Sequence, residues 1–393
     1  MGNNGIDSEL PSAPSPGLIL FNSEDQSDLV FIVTLDPVGG FSSFQDKWRF
    51  PAHSFIIRES SPFFQSLVKQ LDSNKNWKLP EVKPIVNIQC QPEIFHSVMS
   101  YIYKKEVKLD CISKCLALFE SSIKFGLTDL SVLSLTFLQS NLMVSNVIEI
   151  LTTLHPYERG TNYDTGPKES INTEEDKHSI VNEDLIKLES HLNSCIYQCY
   201  SLIDENAELI LTSEGILSIN ESLLRSILHR DSLNITNEMA VFECLDRWST
   251  IQCVRRRKEV TIENKINLLG TNIYLARYLT LSLEAFQHGP YLSDLLSDQD
   301  KQALKATLDN PLVPLPNHLQ LYPLAKQRFH VSKQINGQPN HNLSTMETEV
   351  KQITDGVDNA NLRVVVARKS HSPFKKLFSG LGEAIICVIQ LLD

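Results

Sequence analysis

The sequence predicts an α+β fold, with a few strands near the N-terminus followed by a long succession of helices. Three observations predict it. Leu29-Val-Phe-Ile-Val33 is a short continuous apolar run, the pattern of a strand buried on both faces. Ser61-Pro62 and Gln91-Pro92 each place a proline at a first helical position, with apolar residues behind them at helical spacing. From Cys111 to about Asp309 helical periodicity dominates and is interrupted once.

Taken in order, residues 1–20 are rich in Ser, Pro, Gly and Asn and read as a disordered tail. Asp36-Pro-Val-Gly-Gly40 is a turn signal after the first strand. The helix starting at Ser61-Pro62 carries Phe63, Phe64, Leu67, Val68 and Leu71 on one stripe. The helix starting at Gln91-Pro92 carries Ile94, Phe95, Val98, Met99 and Ile102. Between them, 72–84 reads as an irregular loop and Ile85–Ile88 as a weak strand. Further stripes are Leu116, Phe119, Ile123 and Leu127, then Val144, Val147, Ile148 and Leu151. Residues 156–184 are polar and low in complexity, and read as a solvated insertion. The clearest helix starts at Thr236 or Asn237, both N-cap types, with Glu238 in its dipole-favoured first turn; Val241, Phe242, Leu245 and Trp248 form its buried face. After Asn310 the chain is prolyl and polar, so 313–373 reads as a linker or disordered segment, and 374–393 is apolar again but isolated.

The 393 residues suggest two or three domains, and 42% hydrophobic residues suffice for sizeable cores. A net charge of −11 opposes the cationic field that nucleic-acid binding requires. No basic stretch precedes an apolar core at the N-terminus, so no signal peptide is expected. A cytoplasmic setting with eight reduced cysteines is therefore the expectation. The Asn-x-Ser/Thr triplets at Asn220, Asn234 and Asn342 then carry no glycan. No apolar run reaches the length of a membrane span.

Candidate chemistry is sparse. His53 lies among serines in Arg49-Phe-Pro-Ala-His-Ser-Phe-Ile-Ile-Arg-Glu-Ser-Ser-Pro-Phe-Phe64, yet no nucleophile elbow or base–orienter pair accompanies it. It reads as a structural histidine at a strand-to-helix corner, and no catalytic residue is assigned. His191, Cys195 and Cys199 share helical spacing, but three groups on one helix do not close a tetrahedral zinc site, so the thiols read as core. Arg255-Arg-Arg-Lys258 reads as the solvated end of the Trp248 helix. No glycine-rich phosphate loop is present, and neither cofactor nor metal is expected.

The order of elements resembles the BTB/POZ domain: Ser27-Asp-Leu-Val-Phe-Ile-Val33, Phe50-Pro-Ala-His53, Ser60-Ser-Pro-Phe-Phe64, Pro92-Glu-Ile-Phe95 and Tyr101-Ile-Tyr103. The later part of the chain resembles the BACK domain, through Cys199–Glu208, Ser213-Glu-Gly215, Ala240-Val-Phe-Glu243, Arg247-Trp248 and Glu284-Ala-Phe286. The nearest subgroup usually ends in a PHR β-sandwich; Leu321–Leu324 and Gln327–His330 resemble the lead-in to it, with no series of strands behind. The resemblance implies a small mixed sheet flanked by helices over 21–130, then a helical BACK domain over 131–312.

It also implies a protein-interaction adaptor rather than an enzyme, docking on cullin-3 of a ubiquitin ligase and presenting an unknown substrate protein. The alternative it leaves open is a BTB-mediated oligomerising scaffold without ligase activity. Cullin contact is implied for Leu71, Asp72, Ser73 and Tyr103. Ser73 stands where such members carry a glutamate, leaving Asp72 to supply the acid. Self-association through the BTB domain is implied for Asp28 and Ser54, the latter standing where the family carries Lys or Arg.

Overall fold

The computed structural model describes residues 16–35, 47–73, 83–158 and 183–329. Residues 1–15, the turn at 36–40, the loop at 74–82, most of the insertion, and 330–393 with the apolar C-terminal segment lie outside the described residues.

Strand β1 (Leu29–Thr34) is the centre of a three-stranded sheet. It pairs antiparallel with β2 (Lys47–Ala52), Phe31 opposite Phe50, and parallel with β3 (Ile85–Gln89), Val33 opposite Ile88. A central strand covered on both faces has no polar side. Accordingly Leu29, Val30, Phe31 and Val33 are all buried. The edge strand β3 alternates instead, with Val86 and Ile88 inward and Ile85, Asn87 and Gln89 outward. A parallel pair needs a long crossover. Here it carries β2, α2 (Ser54–Ile57) and α3 (Pro62–Ser73).

Ser61 caps α3 as the sequence predicts: its Oγ accepts from the Phe64 N–H at 3.3 Å and donates to the Phe125 carbonyl at 2.7 Å. The predicted stripe Phe63, Phe64, Leu67 and Val68 is buried, while Leu71 is only partly covered. Helix α4 (Pro92–Lys104) buries Ile94, Phe95, Val98, Met99 and Ile102. Phe95 sits at the middle of an aromatic cluster, 5.4 Å from Phe31 and 5.8 Å from Phe125, both edge to face.

The disordered tail expected over 1–20 does not hold for residues 16–20. Pro16–Leu20 forms α1, which lies on α4 with Leu20 buried. Gly17 makes this approach: a Cβ there would collide with the Tyr103 carbonyl oxygen. The composition carried no sign of it because the contact partner lies far along the chain.

Helix α5 (Ile112–Lys124) is the seam between two cores. Its Leu118 belongs to the sheet core, whereas Cys115, Leu116, Phe119 and Ile123 belong to the helical core. Gly126, at φ 68°, ends it, and the Leu127 N–H reaches back to the Ser122 carbonyl at 2.8 Å. The reversal turns Leu127 into the sheet core, so it does not continue the stripe of Leu116, Phe119 and Ile123.

The helical core is built from α5, α6 (Thr128–Ser140), α7 (Val147–Leu154), α8 (Glu183–Glu205), α9 (Ala207–Thr212), α10 (Glu221–Leu228), α11 (Met239–Arg255), α12 (Ile262–Leu269), α13 (Leu283–His288) and α14 (Asp298–Asp309). Short helices bring many chain ends, and polar caps satisfy them. Asn220, Thr261, Ser282 and Ser297 each accept from the backbone N–H three residues on. The predicted face of α11 is buried, and Trp248 donates its indole N–H to the Ile219 carbonyl at 3.1 Å.

Residues 313–329 are not the linker the prolines suggest. Leu319 and Leu324 enter the helical core, and the Leu279 N–H donates to the Leu324 carbonyl at 3.0 Å. Arg328 reaches Glu238 with Nε–Oε1 2.6 Å and Nη2–Oε2 3.1 Å, both side chains buried. Glu238 therefore serves as the anchor of a distant segment as well as opening α11. Asn237 Oδ1 accepts from the Met239 N–H.

Candidate partner-binding surface

The corner that holds His53 fixes how the N-terminal unit presents its surface. The Tyr103 hydroxyl accepts the His53 backbone N–H at 2.9 Å, so its own proton points to His53 Nδ1, also at 2.9 Å. Nε2 then carries the ring proton and donates to the Asp25 carbonyl at 2.7 Å. Every polar atom in this triangle is used internally, which matches the structural reading of His53. Burial pushes the Tyr103 hydroxyl well above its ordinary pKa, so it stays protonated.

This geometry separates the four residues expected to meet a cullin. Tyr103 is buried and faces His53 and the Phe50 and Phe21 rings, so it offers no surface. Leu71, Asp72 and Ser73 lie together on the last turn of α3. Asp72 pairs with Arg58 at 2.9 Å, a surface pair worth at most about 1 kcal/mol. Ser73 is exposed and its hydroxyl donates to the Lys69 carbonyl of its own turn at 2.9 Å. Asp28 and Ser54 do come together. One Asp28 oxygen accepts the Ser54 backbone N–H at 2.7 Å and the other accepts its hydroxyl, so the carboxylate caps α2 within the chain.

Next to α3 runs a groove of about 640 Å³ that both units build. It is lined by Arg58, Phe63 and Ser66, by Tyr101 and Lys105, and by Asp129, Asp184 and Leu185. Lys105 closes α4 in the left-handed region, φ 57°, with its N–H on the Tyr101 carbonyl at 2.8 Å. Its ammonium lies 5.3 Å from the Tyr101 ring centre. Burial, and then the charge of Asp129, raise the Tyr101 hydroxyl above its usual pKa. Arg58 Nε is a buried donor with no hydrogen-bond partner. A polar rim of both signs around Phe63, Tyr101, Leu127 and Leu185 is suited to a peptide rather than to a small apolar ligand. Sequence reading missed Arg58, Tyr101, Lys105 and Asp184 as a set, because they come from the ends of α2, α4 and α8, far apart in the chain, with no local signature. Asp184 and Leu185, which line the groove, directly follow the insertion in sequence.

The candidate metal cluster does not assemble. His191 Nδ1 pairs with the Lys187 carbonyl of its own helix at 2.8 Å, while Cys195 and Cys199 are buried. Burial pushes the Cys115 thiol up to about 12, and the Cys195 contact followed by burial raises Cys199. Among the described residues no group of three His, Cys, Asp or Glu is placed to hold a metal, and no helix is long and apolar enough to cross a membrane.

Comparison with known proteins agrees with this architecture. The family described as BTB/POZ domain matches residues 20–142, past the boundary expected at 130. The family described as BACK, BTB And C-terminal Kelch, matches residues 189–263. Together they cover half of the chain. The chain is 27% identical over 344 residues to BTB/POZ domain-containing protein 6 of Xenopus laevis, covering 84% of this chain and 54% of that protein. The human protein of the same name is 26% identical over the same length. BTB/POZ domain-containing protein 3 of Mus musculus is 27% identical over 289 residues, 73% of this chain and 45% of that protein. The chain thus spans about half the length of the curated relatives it matches. A mixed three-stranded sheet with its helices, followed by a helical array under a second family match, places the chain in the BTB/POZ–BACK family, a domain pairing typical of protein-interaction adaptors.

Proposed function

We propose that this protein is a non-catalytic, cytoplasmic adaptor that recruits a substrate protein to a cullin-3 ubiquitin ligase. The observation that carries the reading is the groove at the start of α3, tied to the last turn of that helix by one ion pair. It is formed jointly by the N-terminal unit and the first turn of α8, while the partly covered Leu71 and Asp72 and the exposed Ser73 lie at the far end of α3. Arg58 links the two, lining the groove and pairing with Asp72. The adaptor contributes no covalent step; it raises the effective concentration of substrate near the ligase.

The test is affinity of the full chain for the cullin-3 N-terminal region by calorimetry. Leu71→Ala is expected to weaken it by about 1–3 kcal/mol if that side chain is an anchor. Absence of binding at concentrations of roughly tens of micromolar, near −6 kcal/mol, would remove the ligase reading. Tyr103 is unsuitable as a probe, since its substitution acts on the core.

A second reading, an oligomerising scaffold without ligase activity, is favoured by a different feature. Leu18 and Ile19 on α1 and Phe55 on α2 are large, exposed apolar residues on two helices that both lie against α4. Light scattering of wild type and Phe55→Asp decides it. A dimer that the substitution converts to monomer supports the scaffold; a wild-type monomer at high concentration sinks it.

A further inference from the structure

We propose that the turn joining α11 to α12 is a docking surface for an acidic segment of a partner protein that carries apolar residues between its carboxylates. Arg255, Arg256, Arg257 and Lys258 are all exposed, and none has a carboxylate partner among the described residues. One or two cations in a last turn complement the helix dipole; four in succession repel each other without adding to that effect. The backbone shows the same preference for charge over comfort. Lys258 N–H reaches the Cys253 carbonyl at 2.9 Å and Arg257 N–H the Val254 carbonyl at 3.0 Å, the closure that favours glycine at its left-handed position. Arg257 occupies that position at φ 53°.

Exposed apolar side chains flank the cations along the chain. Val254 is 59% exposed, Val260 48%, Ile262 41% and Ile266 40%, with Ile262 and Ile266 one turn apart on the outer face of α12. The inner face is already used: Leu268 and Leu269 are buried, and Lys265 is paired with Asp246. Aliphatic surface interleaved with arginine is the composition of a protein interface. The charge balance selects the partner. The chain carries −11, so a membrane surface or nucleic acid is repelled by the whole molecule, whereas a short segment meets the local field. Glu259 and Glu263 also lie here, exposed, and favour spaced carboxylates over a dense polyanion.

The test is fluorescence anisotropy of the full chain with a labelled synthetic peptide alternating Glu and Leu, at low and raised salt. Binding is expected to weaken with salt and to fall at least about tenfold in Arg256→Glu/Lys258→Glu. Ile262→Ser/Ile266→Ser should weaken it while leaving its salt dependence intact. Arg257→Gly should raise the melting temperature and lower affinity by about threefold, a pairing that a purely structural residue does not give. No binding by wild type, unchanged affinity in Arg256→Glu/Lys258→Glu, or an Arg257→Gly chain that binds like wild type overturns the proposal. Binding to phosphatidylserine vesicles without binding to the peptide overturns it in favour of a membrane contact.

Discussion

The two halves of the molecule close their cores over polar groups in different ways. In the sheet-bearing half the closure is neutral: His53, the Tyr103 hydroxyl and the Asp25 carbonyl use one another's hydrogen-bonding capacity, and among the described residues of this half no Asp, Glu, Lys or Arg is buried. In the helical half the closure is ionic. Arg328 and Glu238 are buried together, and Arg328 also donates to the Leu228 carbonyl at 2.9 Å. Beside them Arg277, almost fully buried, reaches Asp231 at 2.6 Å, and Lys326 pairs with the same carboxylate. Burial, then the neighbouring Arg328 charge, lowers the Arg277 pKa from its ordinary value. A neutral network tolerates loss of a member at the cost of an unmet hydrogen bond. An ionic one strands a charge. The ionic arrangement also has reach, since it fastens 322–329 onto the start of α11.

The largest effect expected from this contrast is that of Glu238→Ala. It leaves Arg328 buried without its counter-charge and should destabilise the helical half by about 3–5 kcal/mol in denaturant unfolding. Glu238→Met/Arg328→Met, which removes both charges, should recover most of that loss; an equally damaged double variant would mean that the pair is not the cause. Tyr103→Phe is the counterpart in the neutral network. It orphans His53 Nδ1 and the His53 N–H and should cost about 1–3 kcal/mol.

Gly17→Ala should detach α1 locally, because the new methyl meets the Tyr103 carbonyl. Amide exchange at Leu20 and Phe21 would quicken while global stability changes little. Arg58→Ala is expected to alter stability by less than about 1 kcal/mol, since its pair with Asp72 is solvent-exposed. A weakening of cullin binding in that variant would then report on the groove and the Asp72 turn that Arg58 joins, not on folding.

The smallest effect concerns pH. Burial raises the Asp231 pKa, but hydrogen bonds from Lys326 and Arg277 outweigh it and hold the carboxyl below 3.8. A depressed folded-state pKa contributes stability that is present above the unfolded value and lost as pH falls through the folded one. Attachment of 322–329 should therefore be indifferent to pH near neutrality and weaken only below 3.8. Carboxyl NMR titration of Asp231 should show a midpoint that rises in Lys326→Ala.

Elements with local signals are legible in the amino-acid order alone. The central strand is one, because a run apolar on both faces has few other uses. Helices α3 and α4 are others, since proline marks their first turns, and α11 repeats Val241, Phe242, Leu245 and Trp248 at helical spacing. The ordered set from Asp28 to Tyr103 was enough to name the family. Side chains whose partners lie far along the chain took their direction from folding instead. Folding turned Tyr103 inward onto His53, split the stripe of α5 and Leu127 between two cores, and drew 313–329 into the helical half through Leu319, Leu324 and Arg328. It also assembled the groove from Arg58, Tyr101, Lys105 and Asp184. Periodicity and capping act within a turn or two of helix, whereas burial and ion pairing depend on neighbours that only the folded chain brings together.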